Sequence, residues 1–238
     1  MDLNCVIKKT FEVIKKVYDH HNEYVDSHNE YVDSQKKLKT TKDMTSSDVG
    51  SRIIFPQYHI HKKEKEKRKD YNRISEQELR FIFVEQLNKY ADQNNIDIYY
   101  SVEAPTKNAY IFSSENNDAP KVDNENGISA RTDLVIYKKD GTSFTKIALI
   151  EFKALNPDII NYEKDFCKLN EEDCESKYFI QIIKNYNART IESIRKKIKS
   201  KDKGIIYKCY CLDKGEDITT KITPDEKCES KSTAESTK

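Results

Sequence analysis

The chain has 238 residues, of which 36% are apolar and 35% charged, with 5 Gly and 5 Pro. This excludes collagen-like and Gly/Ser-linker classes and allows one sizeable domain plus extensions. Lys and Arg number 42 against 41 Asp and Glu, so overall charge names no partner and local charge must be read instead. No apolar run approaches the roughly 20 residues that span a bilayer, and the first residues lack a signal-peptide layout, so a soluble, cytoplasmic protein without membrane contact is expected.

In chain order, residues 3–38 read as one long helix, because Val6, Ile7, Ile14, Val17, Tyr18, Val25, Val32 and Leu38 recur at three-, four- and seven-residue steps. HNEYVDS at 21–27 is repeated letter for letter at 28–34, a copy length that preserves helical phase. For this N-terminal unit (1–40) two readings stay open. One is a helix packed on its own domain; the other is a short coiled coil joining two chains as a homodimer through residues 3–38. Residues 41–73 read as a basic linker. Within it, 53–61 has the makings of an edge strand interrupted by Pro56, with His59 and His61 on one face as a conceivable metal pair. The run 62–73 carries seven basic and three acidic side chains.

From residue 74 to 213 the pattern is that of a folded α/β domain. Ser75 and Glu78 form a capping box, and Leu79, Ile82, Phe83, Leu87 and Tyr90 mark an amphipathic helix to about 92. Strands are expected at 96–105, stopped by Pro105, and at 109–113, followed by an Asn/Asp-rich loop. Two apolar strands follow at 131–139 and 146–155, with Asp140-Gly141 as a hairpin signal between them. A helix (158–172), a strand (178–183), a helix (187–200) and a strand (204–212) complete the domain, and a polar, disordered tail is expected over 214–238. The six cysteines include no C-x-x-C pair, so reduced and mostly buried thiols are expected, with Cys209 and Cys211 on one strand face.

Charged residues inside apolar strands are costly to bury and call for an explanation. Asp133 opens LVIY, while Glu151 and Lys153 interrupt IALIEFKAL on one face, with Phe152 on the other. Two carboxylates meeting on neighbouring strands offer hard oxygen ligands for Mg²⁺. A lysine beside them can orient water or offset charge developing at phosphorus.

This order, an acidic residue on one strand and E-x-K on the next, resembles the PD-(D/E)xK nuclease superfamily, although Thr132 stands where the family name has proline. The resemblance covers about 74–185 and implies a restriction-endonuclease-like α/β fold, a mixed sheet flanked by helices, here with a long N-terminal helix added. It further implies a Mg²⁺-dependent nuclease, with Mn²⁺ as a substitute ion and DNA as the nucleic-acid partner. By the same resemblance Asp133, Glu151 and the main-chain carbonyl of Phe152 hold the metal, and Lys153 serves catalysis. Glu76 or Glu78, at the start of the first helix, completes the set. The basic run 195–203 is a candidate phosphate contact, and Glu103 a candidate addition to the acidic cluster.

The hairpin constrains this scheme. Opposed residue numbers in an antiparallel pair have a constant sum. A two-residue turn at Asp140-Gly141 would make the sum 281, placing Glu151 on the face away from Asp133. A three-residue loop at 140–142 gives 282 and leaves the two diagonal; a seven-residue loop at 139–145 gives 284 and sets them directly opposite. The connection is therefore expected to be longer than two residues or bulged.

Overall fold

The computed structural model describes residues 1–33, 49–55, 57–60, 69–112, 119–198 and 204–223. The elements are α1 (Leu3–Asp33), β1 (Gln57–Ile60), β2 (Lys69–Asn72), α2 (Glu76–Asn94), β3 (Ile98–Ile111), β4 (Lys121–Val122) and β5 (Ile128–Asp140). They continue as β6 (Ser143–Ala154), α3 (Ile159–Glu171), β7 (Ser176–Ile183), α4 (Ala188–Ile198), β8 (Ile205–Cys211), β9 (Glu216–Asp217) and α5 (Thr219–Ile222). Seven strands form one mixed sheet in the order β4-β3-β5-β6-β7-β8-β9. β3 and β6 each run antiparallel to β5 between them, while β6, β7 and β8 are parallel.

Helices cover both faces of this sheet, and strand alternation divides the core accordingly. Leu134, Ile136, Ala148, Ile150 and Phe152 point toward α1 and α2, where the Phe83 and Phe152 rings meet edge to face at 5.3 Å. Val135, Leu149, Phe179 and Ile183 point toward α3 and α4. The central strands are thus covered on both sides, as their continuous apolar runs require. The first half of α1 belongs to this core: Leu3, Val6, Ile7, Phe11, Ile14, Val17 and Tyr18 are all buried. Each such side chain contributes about 1.5–3 kcal/mol when removed from water.

Several expectations need correction. The polar tail does not begin at 214, because β9 pairs with β8 and α5 follows, burying Ile218 and Ile222 against the second face. The basic linker contains strands, since β1 and β2 pair antiparallel from Gln57↔Asn72 to Ile60↔Lys69. The side chains of His59 and His61, and most of the basic run, lie outside the described residues. Pro105 does not stop its strand: β3 continues through it to Ile111, with an irregularity between Pro105 and Ala109. Among the described residues only β5 flanks β3 at that point, the edge setting in which a strand tolerates proline. Among the described cysteines, Cys209 and Cys211 are buried, Cys5 is exposed, and Cys167 and Cys174 are half-buried, so most are not buried as expected.

The β5–β6 hairpin reaches the required register by a bulge. Asp140 pairs with Ser143, leaving Gly141-Thr142 as the two-residue loop, and near the turn the residue numbers sum to 283. That register would leave Asp133 and Glu151 on opposite faces. Between the pairs Ile136↔Ala148 and Tyr137↔Lys146 the ladder accommodates Ile147 as an extra residue, and from there to Leu134↔Ile150 the sum is 284. One further step in the same register sets Asp133 opposite Glu151. A single bulged residue therefore decides whether the two carboxylates share one face of the sheet.

Candidate active site

Asp133, Glu151 and Lys153 lie on the sheet face covered by α3, at the end where β5 and β6 stop pairing. The Phe152 N–H donates to Asp133 Oδ2 at 2.8 Å, so the aspartate side chain ties β5 to the backbone of β6 beyond their last pair. Lys153 Nζ lies 2.6 Å from Asp165 Oδ2 on α3 and 3.2 Å from Glu76 Oε1 at the start of α2. Lys168 Nζ, also on α3, lies 2.7 Å from Glu151 Oε1 and 3.0 Å from Asp165 Oδ1, and donates to the Arg131 carbonyl at 2.9 Å. Four carboxylates thus surround two ammonium groups, a formal charge of −2 when all are ionised.

Burial determines how this excess is carried. Glu151 is 1% exposed. Burial, together with the charges of Asp165 and Asp133, pushes its carboxyl well above the usual range despite Lys168. Burial also raises Asp133, with the Phe152 N–H pulling the other way and Asp165 adding to the rise. For Lys153, burial disfavours the ammonium, but Asp165 and Glu76 outweigh it and its pKa rises. Lys168 is raised in the same manner by Glu151 and Asp165. Both lysines are therefore cations at neutral pH, and neither can act as a base.

Of the two helix-start glutamates, Glu76 reaches the cluster and Glu78 does not. The Ser75 hydroxyl donates to the Glu78 carboxylate, and no cap bond from the Ser75 side chain to the helix backbone forms, so the expected capping box is only half made. Glu103 is drawn away from the acidic cluster by Arg80 and Arg131. In the basic run, Arg195 donates to the Ile222 and Lys221 carbonyls and Lys197 to Asn156 and Pro157. Arg195 thus holds the end of α5 and Lys197 the loop before α3, instead of presenting free charge to phosphates, and residues 199–203 lie outside the described part.

Asp165 and Lys168 escaped the sequence reading. Tyr162, Asp165, Phe166 and Leu169 form the buried stripe of α3, spaced i, i+3, i+4 and i+7. An aspartate on an apolar stripe was the available signal, of the same kind as a charge within an apolar strand.

The donor set suits a hard divalent ion. Asp133 Oδ1 has no hydrogen-bond partner among those described, two raised carboxyls would exchange a proton for a metal, and the excess charge equals that of one such ion. Against this, among the described residues no three His, Cys, Asp or Glu side chains already converge as a metal-holding group. Comparison of the chain with protein-family models, with curated proteins and with solved structures finds no match.

Proposed function

We propose that this protein is a divalent-metal-dependent nuclease that hydrolyses phosphodiester bonds in DNA, built on a PD-(D/E)xK-type core. The observation that carries the reading is the convergence of Asp133, Glu151 and Lys153 on one face, which depends on the Ile147 bulge. The order α2, three antiparallel strands (β3, β5, β6), α3 and the parallel β7 supports it, being the helix–meander–helix–strand order of that superfamily.

Asp133, Glu151 and the Phe152 carbonyl would hold the ion, which supplies Lewis acidity toward a phosphate oxygen and its bound water. Lys153, kept ionised by Asp165 and Glu76, donates hydrogen bonds to the attacking water and to the phosphoryl oxygens as negative charge grows there. Glu76 and Asp165 fix the direction of that ammonium. Lys168 neutralises Glu151 until the ion arrives.

Lys168 also motivates a second reading. A lysine already seated on Glu151 favours a protein of this fold that binds nucleic acid, or serves as a dimeric scaffold, without cleaving. Incubating the protein with supercoiled plasmid and single-stranded DNA, with and without Mg²⁺ or Mn²⁺, separates the two. Nicking or degradation only with the metal supports the nuclease, and intact substrates under all conditions support the binding protein.

A further inference from the structure

Three residues beside the carboxylate cluster are arranged in a way the chemistry above does not use. Arg131 lies two residues before Asp133 on β5, so the two side chains leave the strand on one face. Arg80 lies one turn after Glu76 on α2. Both guanidinium groups converge on Glu103 of β3, which sits between the pairs Val102↔Leu134 and Ala104↔Thr132 and so beside Asp133. Arg131 Nη1 lies 3.0 Å from Glu103 Oε2. Arg80 directs both terminal nitrogens at Glu103 Oε1, each at 3.4 Å.

This triad is poorly matched to itself. A guanidinium fork meets a carboxylate best through two oxygens at about 2.7–2.9 Å, whereas Arg80 shares one oxygen at a longer distance. Its buried Nε has no hydrogen-bond partner. Two cations share one anion, which leaves a charge of +1 beside a cluster whose formal charge is −2 when all its carboxylates are ionised. Glu103 itself has φ +50 within a strand, a left-handed conformation that costs a non-glycine residue about 1 kcal/mol or more and is characteristic of functional sites. Phe81, the next residue after Arg80, is 48% exposed, and the Arg80 guanidinium lies 5.9 Å from its ring centroid.

We propose that Arg80 and Arg131 form a phosphate clamp for a nucleic-acid strand entering the carboxylate site, with Glu103 holding the two guanidinium groups apart until the strand arrives. The inference rests on the nuclease reading and names the substrate contact. One phosphodiester brings the triad's charge to zero and offers two oxygens to two forks. Exposed Phe81 provides a ring on which an adjacent base can stack. A cationic contact at this place also answers the repulsion that a polyanion would meet from the carboxylates.

The test is binding of fluorescent single-stranded and duplex oligonucleotides to the full chain in EDTA, followed by anisotropy across a salt series. Arg131→Gln and Arg80→Gln should each weaken binding about tenfold at low salt and reduce the slope of log K against log salt by about 1. Glu103→Gln should tighten binding several-fold, an opposite sign that a merely structural triad would not produce. Arg131 is exposed, so its variant is expected to fold even where Arg80→Gln does not, and melting curves verify this. A parent that binds, with Arg131→Gln and Glu103→Gln indistinguishable from it, overturns the clamp and leaves the nuclease reading standing. A parent that binds with the expected variant effects, yet cleaves nothing with Mg²⁺ or Mn²⁺, overturns the nuclease reading alone. A parent that binds no oligonucleotide overturns the clamp, and cleavage with Mg²⁺ or Mn²⁺ then decides the nuclease reading by itself.

Discussion

Lys168→Met is predicted to be far more damaging than Glu151→Gln, although the two residues are partners at 2.7 Å. Removing Lys168 leaves Glu151, 1% exposed, with no cation in contact, and breaking a buried pair from one side costs about 3–5 kcal/mol. For a chain of this size that lowers Tm by about 6–12 °C, taking the lower cost. Removing the Glu151 charge instead leaves Lys168 with Asp165 at 3.0 Å and the Arg131 carbonyl at 2.9 Å. It also removes a carboxylate that burial already disfavours, so the change should stay within about 1 kcal/mol of the parent. The double variant should regain about 2 kcal/mol over Lys168→Met. pH separates the contributions further. The folded-state pKa of Glu151 lies above its ordinary 4.5, so the folded protein holds that proton more tightly. The stabilisation is full below the ordinary value and is lost as pH rises through the raised one. Glu151→Gln should therefore gain on the parent as pH rises above 4.5 and through the raised pKa, and Lys168→Met should lose most at the alkaline end. Chemical denaturation of the four proteins at several pH values gives every quantity. Equal costs for the two single variants, or a double variant no better than Lys168→Met, would refute the reasoning.

Three further outcomes follow from other parts of the molecule. Glu172 accepts the N–H groups of Lys107 and Asn108 and the Tyr110 hydroxyl, so Glu172→Ala should cost about 2–3 kcal/mol by denaturation. Burial opposes its charge, but those donors hold its pKa below 4.5; the parent's advantage should persist above that value and fade as pH falls through the lowered pKa. Deleting Ile147 removes the bulge and makes Tyr137↔Lys146 and Ile136↔Ala148 consecutive pairs of a regular ladder, so every β6 side chain from 148 onward keeps its face; a retained cooperative melt is expected, lower by about 1–3 kcal/mol for the lost side chain, and loss of the fold would contradict the register. If residues 3–38 join two chains, deleting residues 28–34, which removes one copy of the repeat while preserving helical phase, should weaken the dimer in sedimentation with the α/β melt retained. A monomeric parent would end the coiled-coil reading.

The parts legible in the sequence were those carried by local patterns. Apolar runs located β5 and β6, the 3.6-residue stripe located α2, and charges inside apolar strands located Asp133, Glu151 and Lys153. Parity arithmetic showed that a two-residue turn at Asp140-Gly141 could not serve, but which residue would bulge was hidden, because Ile147 looks like any other strand isoleucine. The partners of the lysines were missed because Asp165 and Lys168 meet them only through tertiary packing of α3 on the sheet. Ile218 and Ile222 lay in a segment too polar on average to reveal that two side chains anchor it. The stripe on α1 gave no indication of its partner either; the core of its own chain takes Leu3 to Tyr18.

On the proposed reading, Asp133 and Glu151 together hold a divalent ion at which DNA is cut. The most direct test of that reading is the single-turnover cleavage rate of supercoiled plasmid by Asp133→Ala and Glu151→Gln, each shown to be folded by its melting curve, against the parent across a Mg²⁺ series. The prediction is metal-dependent cleavage by the parent and a loss of at least about a thousandfold in both variants, the scale on which removal of a principal charge-stabilising group acts. Cleavage by either folded variant at the parent's rate, with the same Mg²⁺ dependence, would contradict it.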